Sequence, residues 1–165
     1  MGRKLEDLDR TELLRFTARN AVTMDGCWFR EVEKRFGLQA AVEINKDVQN
    51  CYAAVESRRI KELLRLEGDD LSTLERALPL AFEHSGMDFG IQRISENTLL
   101  LTKQLCLPQV TRKRKGLPEY PCKEVGLVTQ SAFARGINAN IRVTCLIASP
   151  DEHPENIWCQ WLYKI

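Results

Sequence analysis

Residues 87–106 read M-D-F-G-I-Q-R-I-S-E-N-T-L-L-L-T-K-Q-L-C, and their periodicity decides the fold. Met87, Phe89 and Ile91 alternate with Asp88, Gly90 and Gln92, the two-residue period of a strand with one buried face. A second strand-like run, T-L-L-L-T, follows the polar pair Glu96-Asn97. Two such runs around two turn-forming residues predict a β-hairpin over 87–106 with its tight turn at Glu96-Asn97.

Upstream of this stretch the period is helical. Asp9 followed by Glu12 forms a capping box, in which a short side chain accepts from a free backbone N–H while the Glu reaches back; it predicts a helix over 9–23. Trp28, Val32 and Phe36 recur at i, i+4, i+8 with Gly37 at the stop position, predicting a short helix over 25–37. Ala41, Ile44, Val48, Cys51, Val55, Ile60, Leu63 and Leu64 keep the 3.6-residue spacing, so one long helix, or two with a bend, should cover 38–66 and bury that stripe. Asp70 caps a further helix that Pro79 kinks or ends, and Gly86 closes the helical half.

Downstream, P-Q-V-T-R-K-R-K-G-L-P-E-Y-P (108–121) holds three of the six prolines and four consecutive basic residues, and reads as a positively charged loop. A helix over 122–136 follows, between Pro121 and Gly136, with Val125, Val128, Ala132 and Phe133 inward. N-I-R-V-T-C-L-I-A (140–148) and N-I-W-C-Q-W-L-Y-K-I (156–165) alternate as strands around S-P-D-E-H-P-E. The expected architecture is one α+β domain over 1–165. A helical part (5–84) packs on an antiparallel sheet formed by a ββ-α-ββ half (87–164).

The chain's 165 residues are 44% hydrophobic and 28% charged, the size and composition of one globular domain. Lys plus Arg number 24 against 23 acidic residues, which gives no general attraction to nucleic acid. No apolar run reaches membrane-spanning length and the N-terminus, MGRKLEDLDR, is charged, so a cytoplasmic protein without a membrane partner is expected. The six cysteines are then free, metal-bound or reactive rather than paired.

Strand parity puts Cys145 and Cys159 on the same apolar sheet face. In a hairpin centred on Glu152, residues whose numbers sum to 304 are opposite, as 145 and 159 are, so their sulfurs would be neighbours. Cys122, at the start of the intervening helix, sits where the helix dipole favours a thiolate. Three thiols could thus converge on zinc, with His153 in the connecting loop as fourth ligand; the alternative is that they are ordinary buried residues. Cys27 and Cys51 read as core.

Further candidates are small-molecule contacts. Asp25 is either an N-cap or a functional carboxylate. Trp28, Phe29 and Trp161 would border an apolar pocket. Glu56 with Arg59 is either an inward pair that anchors a polar ligand or part of a solvated face. Arg114, in the basic run, could clamp a carboxylate. The patterns G-x-S-x-G, H-E-x-x-H, G-x-x-x-x-G-K-[ST] and G-x-G-x-x-G are absent.

The runs D-G-C-W-F-R-E-V-E-K-R-F-G (25–37), E-S-R-R-I (56–60), R-K-R-K-G-L-P-E-Y-P-C-K-E-V-G (112–126) and S-P-D-E-H-P-E-N-I-W-C-Q-W (149–161) resemble a family of uncharacterised prokaryotic cytosolic proteins grouped with L-2-amino-thiazoline-4-carboxylic acid hydrolases. The C-terminal half is similar in layout to 4-vinyl reductase-type small-molecule-binding domains. That resemblance implies a zinc site in which Cys122, Cys145 and Cys159 occupy three ligand places, while Ala148 stands where the remaining ligand is expected.

Two functions follow as expectations. The first is a sensor-like domain that binds a small, partly apolar molecule with an anionic group, with a candidate cysteine-rich zinc site and a homo-oligomeric state. The second is a hydrolase of a small cyclic amidine or amide, such as a 2-aminothiazoline-4-carboxylate, acting through a thiolate or metal-bound water.

Overall fold

The computed structural model describes residues 2–84 and 87–165; the helical end expected at Gly86 lies outside the described residues. After a 3-10 turn (Leu5–Asp7), the chain runs through α1 (Arg10–Leu64), α2 (Leu71–Ala77), 3-10 turns at Leu78–Leu80 and Phe82–His84, then β1 (Phe89–Ser95), β2 (Thr98–Lys103), α3 (Leu107–Arg114), α4 (Lys123–Ile137), β3 (Arg142–Ala148) and β4 (Cys159–Lys164). The architecture is α+β, with the helical half first and a four-stranded antiparallel sheet, ordered β1-β2-β4-β3, in the second half.

The capping box is present: Asp9 accepts from the Glu12 N–H at 2.8 Å and the Glu12 carboxylate accepts from the Asp9 N–H at 3.1 Å. The helix that it starts does not stop near 23. Asp25 and Gly26 lie inside α1, so Asp25 is not an N-cap. A single interior glycine costs only about 1 kcal/mol, which the flanking helix formers outweigh. The chain breaks instead at Gly37, whose φ of 85° and ψ of 163° are non-helical, a conformation that a side chain would strain. Two arms, 10–36 and 38–64, therefore meet at a corner. Asp70 caps α2 by accepting from the Thr73 N–H at 2.8 Å, and α2 ends just before the 3-10 turn containing Pro79.

The first hairpin turns at Glu96-Asn97, with Ser95 paired to Thr98. The basic stretch expected as a loop is instead α3, with Pro108 in its first turn, where a missing N–H costs nothing. The second half is thus ββ-αα-ββ. In the final hairpin Cys145 lies opposite Trp161, not Cys159; Ala148 takes the place opposite Cys159, because a bulge between Cys145 and Ile147 and an asymmetric loop shift the register. The shift at Cys145 is two residues, so the inward face is preserved.

Across the sheet, Leu99 pairs with Tyr163, Leu101 with Trp161 and Lys103 with Cys159, forming one buried surface. Against it lies α4, so closely that a Cβ on Gly126 would meet the Trp161 ring at 2.5 Å. Its opposite side rests on the second arm of α1, where a Cβ on Gly136 would meet the Ser57 hydroxyl at 1.8 Å. The core is therefore sheet, α4 and the second arm of α1 in succession, closed by α2.

Candidate functional site

The side of the core next to α2 holds a buried polar cluster. On β2, Leu99 and Leu101 point inward, and strand alternation carries the next inward position to Lys103, which is itself buried. Its ammonium meets Glu83, from the 3-10 turn Phe82–His84, at 3.0 Å. Gln130 of α4 donates to the other Glu83 oxygen at 2.5 Å, and the buried Tyr163 hydroxyl donates to the Gln130 carbonyl. Beside them His84, 3% exposed, stacks on Phe89 with ring centroids 4.5 Å apart.

The His84 Nδ1 lies 2.6 Å from the Leu78 carbonyl. A carbonyl only accepts, so Nδ1 carries the hydrogen and Nε2 is left as an acceptor. That Nε2 is buried and has no hydrogen-bond partner among the described residues, with a Glu83 carboxylate oxygen 3.6 Å from it. Burial, with the nearby Lys103 charge, pushes the His84 pKa down to about 4, so the ring is neutral at pH 7. Burial alone would raise the Glu83 carboxyl and lower the Lys103 ammonium, but each holds the other ionised: Glu83 stays below its ordinary value and Lys103 above. The cluster presents a lone acceptor beside a neutralised ion pair, in apolar surroundings.

The thiols are partnered singly. Trp161 Nε1 donates to the Cys159 sulfur at 3.2 Å, and Gln109 Nε2 to that of Cys122 at 3.6 Å. Burial pushes Cys122 up to about 12 and Cys159 up to about 11, and also raises Cys106 and Cys145. The thiolate expected at Cys122 from the helix dipole is thus overridden by desolvation. Among the described residues no three His, Cys, Asp or Glu side chains gather as metal ligands. With Ala148 opposite Cys159 and the Cys122 and Cys159 sulfurs already accepting hydrogen bonds, the residues do not fit a four-ligand zinc site. His153 sits apart in the loop, 3.5 Å from Glu119 and 5.0 Å, centroid to centroid, from Trp158.

Of the other sequence candidates, Asp25, Glu56 and Arg59 all lie within electrostatic reach of the Tyr52 hydroxyl, apart from Trp161 and Arg114. Phe29 packs edge-on against Tyr120 at 4.9 Å, whereas Trp28 is exposed. Trp161 is buried against α4. Asp25, an exposed residue of α1, has its carboxyl partly desolvated near Tyr52 and Tyr120, which pushes it up. Glu56 accepts from the Phe82 N–H at 2.7 Å and the Tyr52 hydroxyl at 2.9 Å, and burial raises it. It pins the turn that carries Glu83 and His84. Arg59 is exposed and does not pair with it. Arg114 ends α3 in solvent; the fork-to-carboxylate clamp belongs to Arg112, buried and bonded to both Glu33 oxygens at 2.8 and 2.9 Å. Sequence reasoning missed Lys103, although its parity with Leu99 and Leu101 marks it as inward.

The fold has a counterpart among solved structures. It is shared with the crystal structure of the phenol-responsive sensory domain of the transcription activator PoxR with phenol, at 15% identity and a TM-score of 0.58, over 84% of this chain and 71% of that one. By sequence, the chain belongs to a family of unknown function, DUF6125, whose model matches residues 4–165. A search of the curated proteins finds no match. Neither comparison supports kinship with L-2-amino-thiazoline-4-carboxylic acid hydrolases. No helix among the described residues is long and apolar enough to cross a membrane.

Proposed function

We propose that this protein is a sensor-like domain that binds a small, partly apolar molecule at the cluster of His84, Lys103, Glu83, Gln130 and Tyr163. The observation that supports this reading is the buried acceptor at His84 Nε2, which has no hydrogen-bond partner among the described residues, in a fold shared with a phenol-responsive domain. An unsatisfied buried polar group costs about 1–3 kcal/mol, and a ligand hydroxyl that donates to Nε2 removes that cost. The flanking Phe89 ring and Leu78 suit an aromatic or aliphatic body. A neutral hydroxyl fits better than the anionic group that the basic run suggested, because Lys103 is already neutralised by Glu83. The site wall is the turn Phe82–His84, held by Glu56, and is the natural place for ligand binding to alter the surface. A hydrolase reading has no such support: the buried thiols are held protonated rather than activated.

Isothermal titration with phenol and benzene, on the native chain and His84→Phe, tests this. Phenol should bind the native chain, bind His84→Phe at least about tenfold more weakly, a loss of about 1.4 kcal/mol, and outcompete benzene. Equal phenol affinity in both chains, or none in the native one, would refute the site.

A further inference from the structure

The first arm of α1 leaves an apolar stripe uncovered. Leu14, Ala21, Met24, Trp28 and Val32 follow at steps of seven, three, four and four, one line along a helix, and Phe36 continues it to the corner at Gly37. In this chain Leu14 is 70% exposed, Met24 61%, Trp28 69% and Phe36 68%. The inward side of the same arm is satisfied separately, by Phe29 on Tyr120 and Glu33 on Arg112. Beyond the corner, Ile44, Val48 and Cys51 also stand exposed, although their spacing is that of a buried face.

We propose that this stripe is a homodimer interface, packed on the same stripe of a second copy. Three observations select that partner. The first is area: large side chains of about 150–250 Å² each, two-thirds exposed, with the smaller residues between them, amount to roughly 600 Å². That is at the upper end of what a monomer leaves exposed, and it approaches the about 800 Å² per partner of a standard interface once its polar rim is added. The second is shape. Met24, Cys27, Trp28, Glu31, Val32, Arg35 and Phe36, all on one side of the arm, line an open hollow of about 460 Å³, one wall of which is the exposed Trp28 ring, free to enter the hollow of a second copy. A stripe that carries both knob and groove is self-complementary, as a two-fold interface requires. The third is charge. Glu31 and Arg35, on the rim, already face each other at 3.9 Å, so the border is balanced in sign and two copies can approach.

Trp28 is the anchor. It is the largest exposed side chain of the stripe, and tryptophan is enriched among the residues that dominate interface energetics. The stripe shares no residue with the polar cluster around His84, so the interface does not depend on the proposed ligand.

Sedimentation equilibrium of the full chain from about 1 to 100 µM, a range that brackets micromolar association, tests the proposal. The native chain should sediment as a dimer. Trp28→Ala should weaken the dimer at least tenfold, and Met24→Glu with Trp28→Glu should give a monomer with unchanged far-ultraviolet circular dichroism. Leu146→Glu, at a half-exposed apolar site on β3, should remain dimeric. A native chain that is monomeric over that range, a dimer that survives Trp28→Ala undiminished, or one that Leu146→Glu dissociates as readily, overturns the proposal.

Discussion

Lowering the pH should destabilise the fold through His84. Its pKa falls from 6.5 to about 4 on folding, chiefly because the ring is buried. Above pH 6.5 the ring is neutral in both states and contributes no pH dependence. As pH falls from 6.5 toward 4, the unfolded chain takes up a proton that the folded chain refuses, so stability drops across that window. At 1.36 kcal/mol per unit, the loss is about 3 kcal/mol, or roughly 6–12 °C in Tm for a domain of this size. Glu83 acts lower: its depressed carboxyl contributes stability above its unfolded value of 4.5, lost as pH falls further through the folded value. Urea unfolding of the native chain and of His84→Asn, which keeps a donor for the Leu78 carbonyl, separates the two windows. The variant is less stable at pH 7, having lost the stack on Phe89, but its profile should be flatter between pH 6.5 and 4 by about 3 kcal/mol. Parallel profiles over that window would refute the buried, neutral imidazole.

Three further outcomes are expected. Lys103→Met leaves Glu83 as an uncompensated buried charge and should cost about 3–5 kcal/mol in urea unfolding, whereas adding Glu83→Gln should restore much of that loss. Arg112→Lys cannot reproduce the two-bond clamp on Glu33 and should lower Tm clearly, while Arg114→Lys, exposed, should change stability by less than about 0.5 kcal/mol. With a disulfide reagent near neutral pH, in the monomeric Met24→Glu, Trp28→Glu chain, Cys27 and Cys51, both exposed, should react fast, and Cys122 and Cys159 only on unfolding; mass spectrometry of quenched samples assigns them.

What the sequence showed well was periodicity. The hairpin at 87–106, the cap at Asp9 and the helix after Cys122 rest on local patterns, and the structure has all three. Gly37 was legible as a break because a positive φ is a local property. Long-range choices were not. Whether Arg112 or Arg114 forms a clamp depends on which faces Glu33 across the fold, and the basic run gives no hint of it. The register of the last hairpin turned on one bulge, which strand parity cannot show: it gave the right face for Cys145 and the wrong neighbour. The stripe Ile44, Val48 and Cys51 has core spacing yet is exposed, because amphipathic spacing marks an apolar face without saying what, if anything in the same chain, packs on it. Most of the polar cluster was missed for a similar reason. Glu83, His84, Lys103, Gln130 and Tyr163 lie on four separate elements, and only Lys103 and Tyr163 carried a local signal, their strand parity.

The most direct measurement is the long-range proton–nitrogen correlation spectrum of the two histidines at pH 7, assigned with a His153→Gln variant, with and without phenol. His84 should be the tautomer protonated at Nδ1, with an Nε2 resonance that moves on adding phenol and stays put on adding benzene. A hydrogen on Nε2 in the free protein, or an Nε2 resonance indifferent to phenol, would contradict ligand binding at this site.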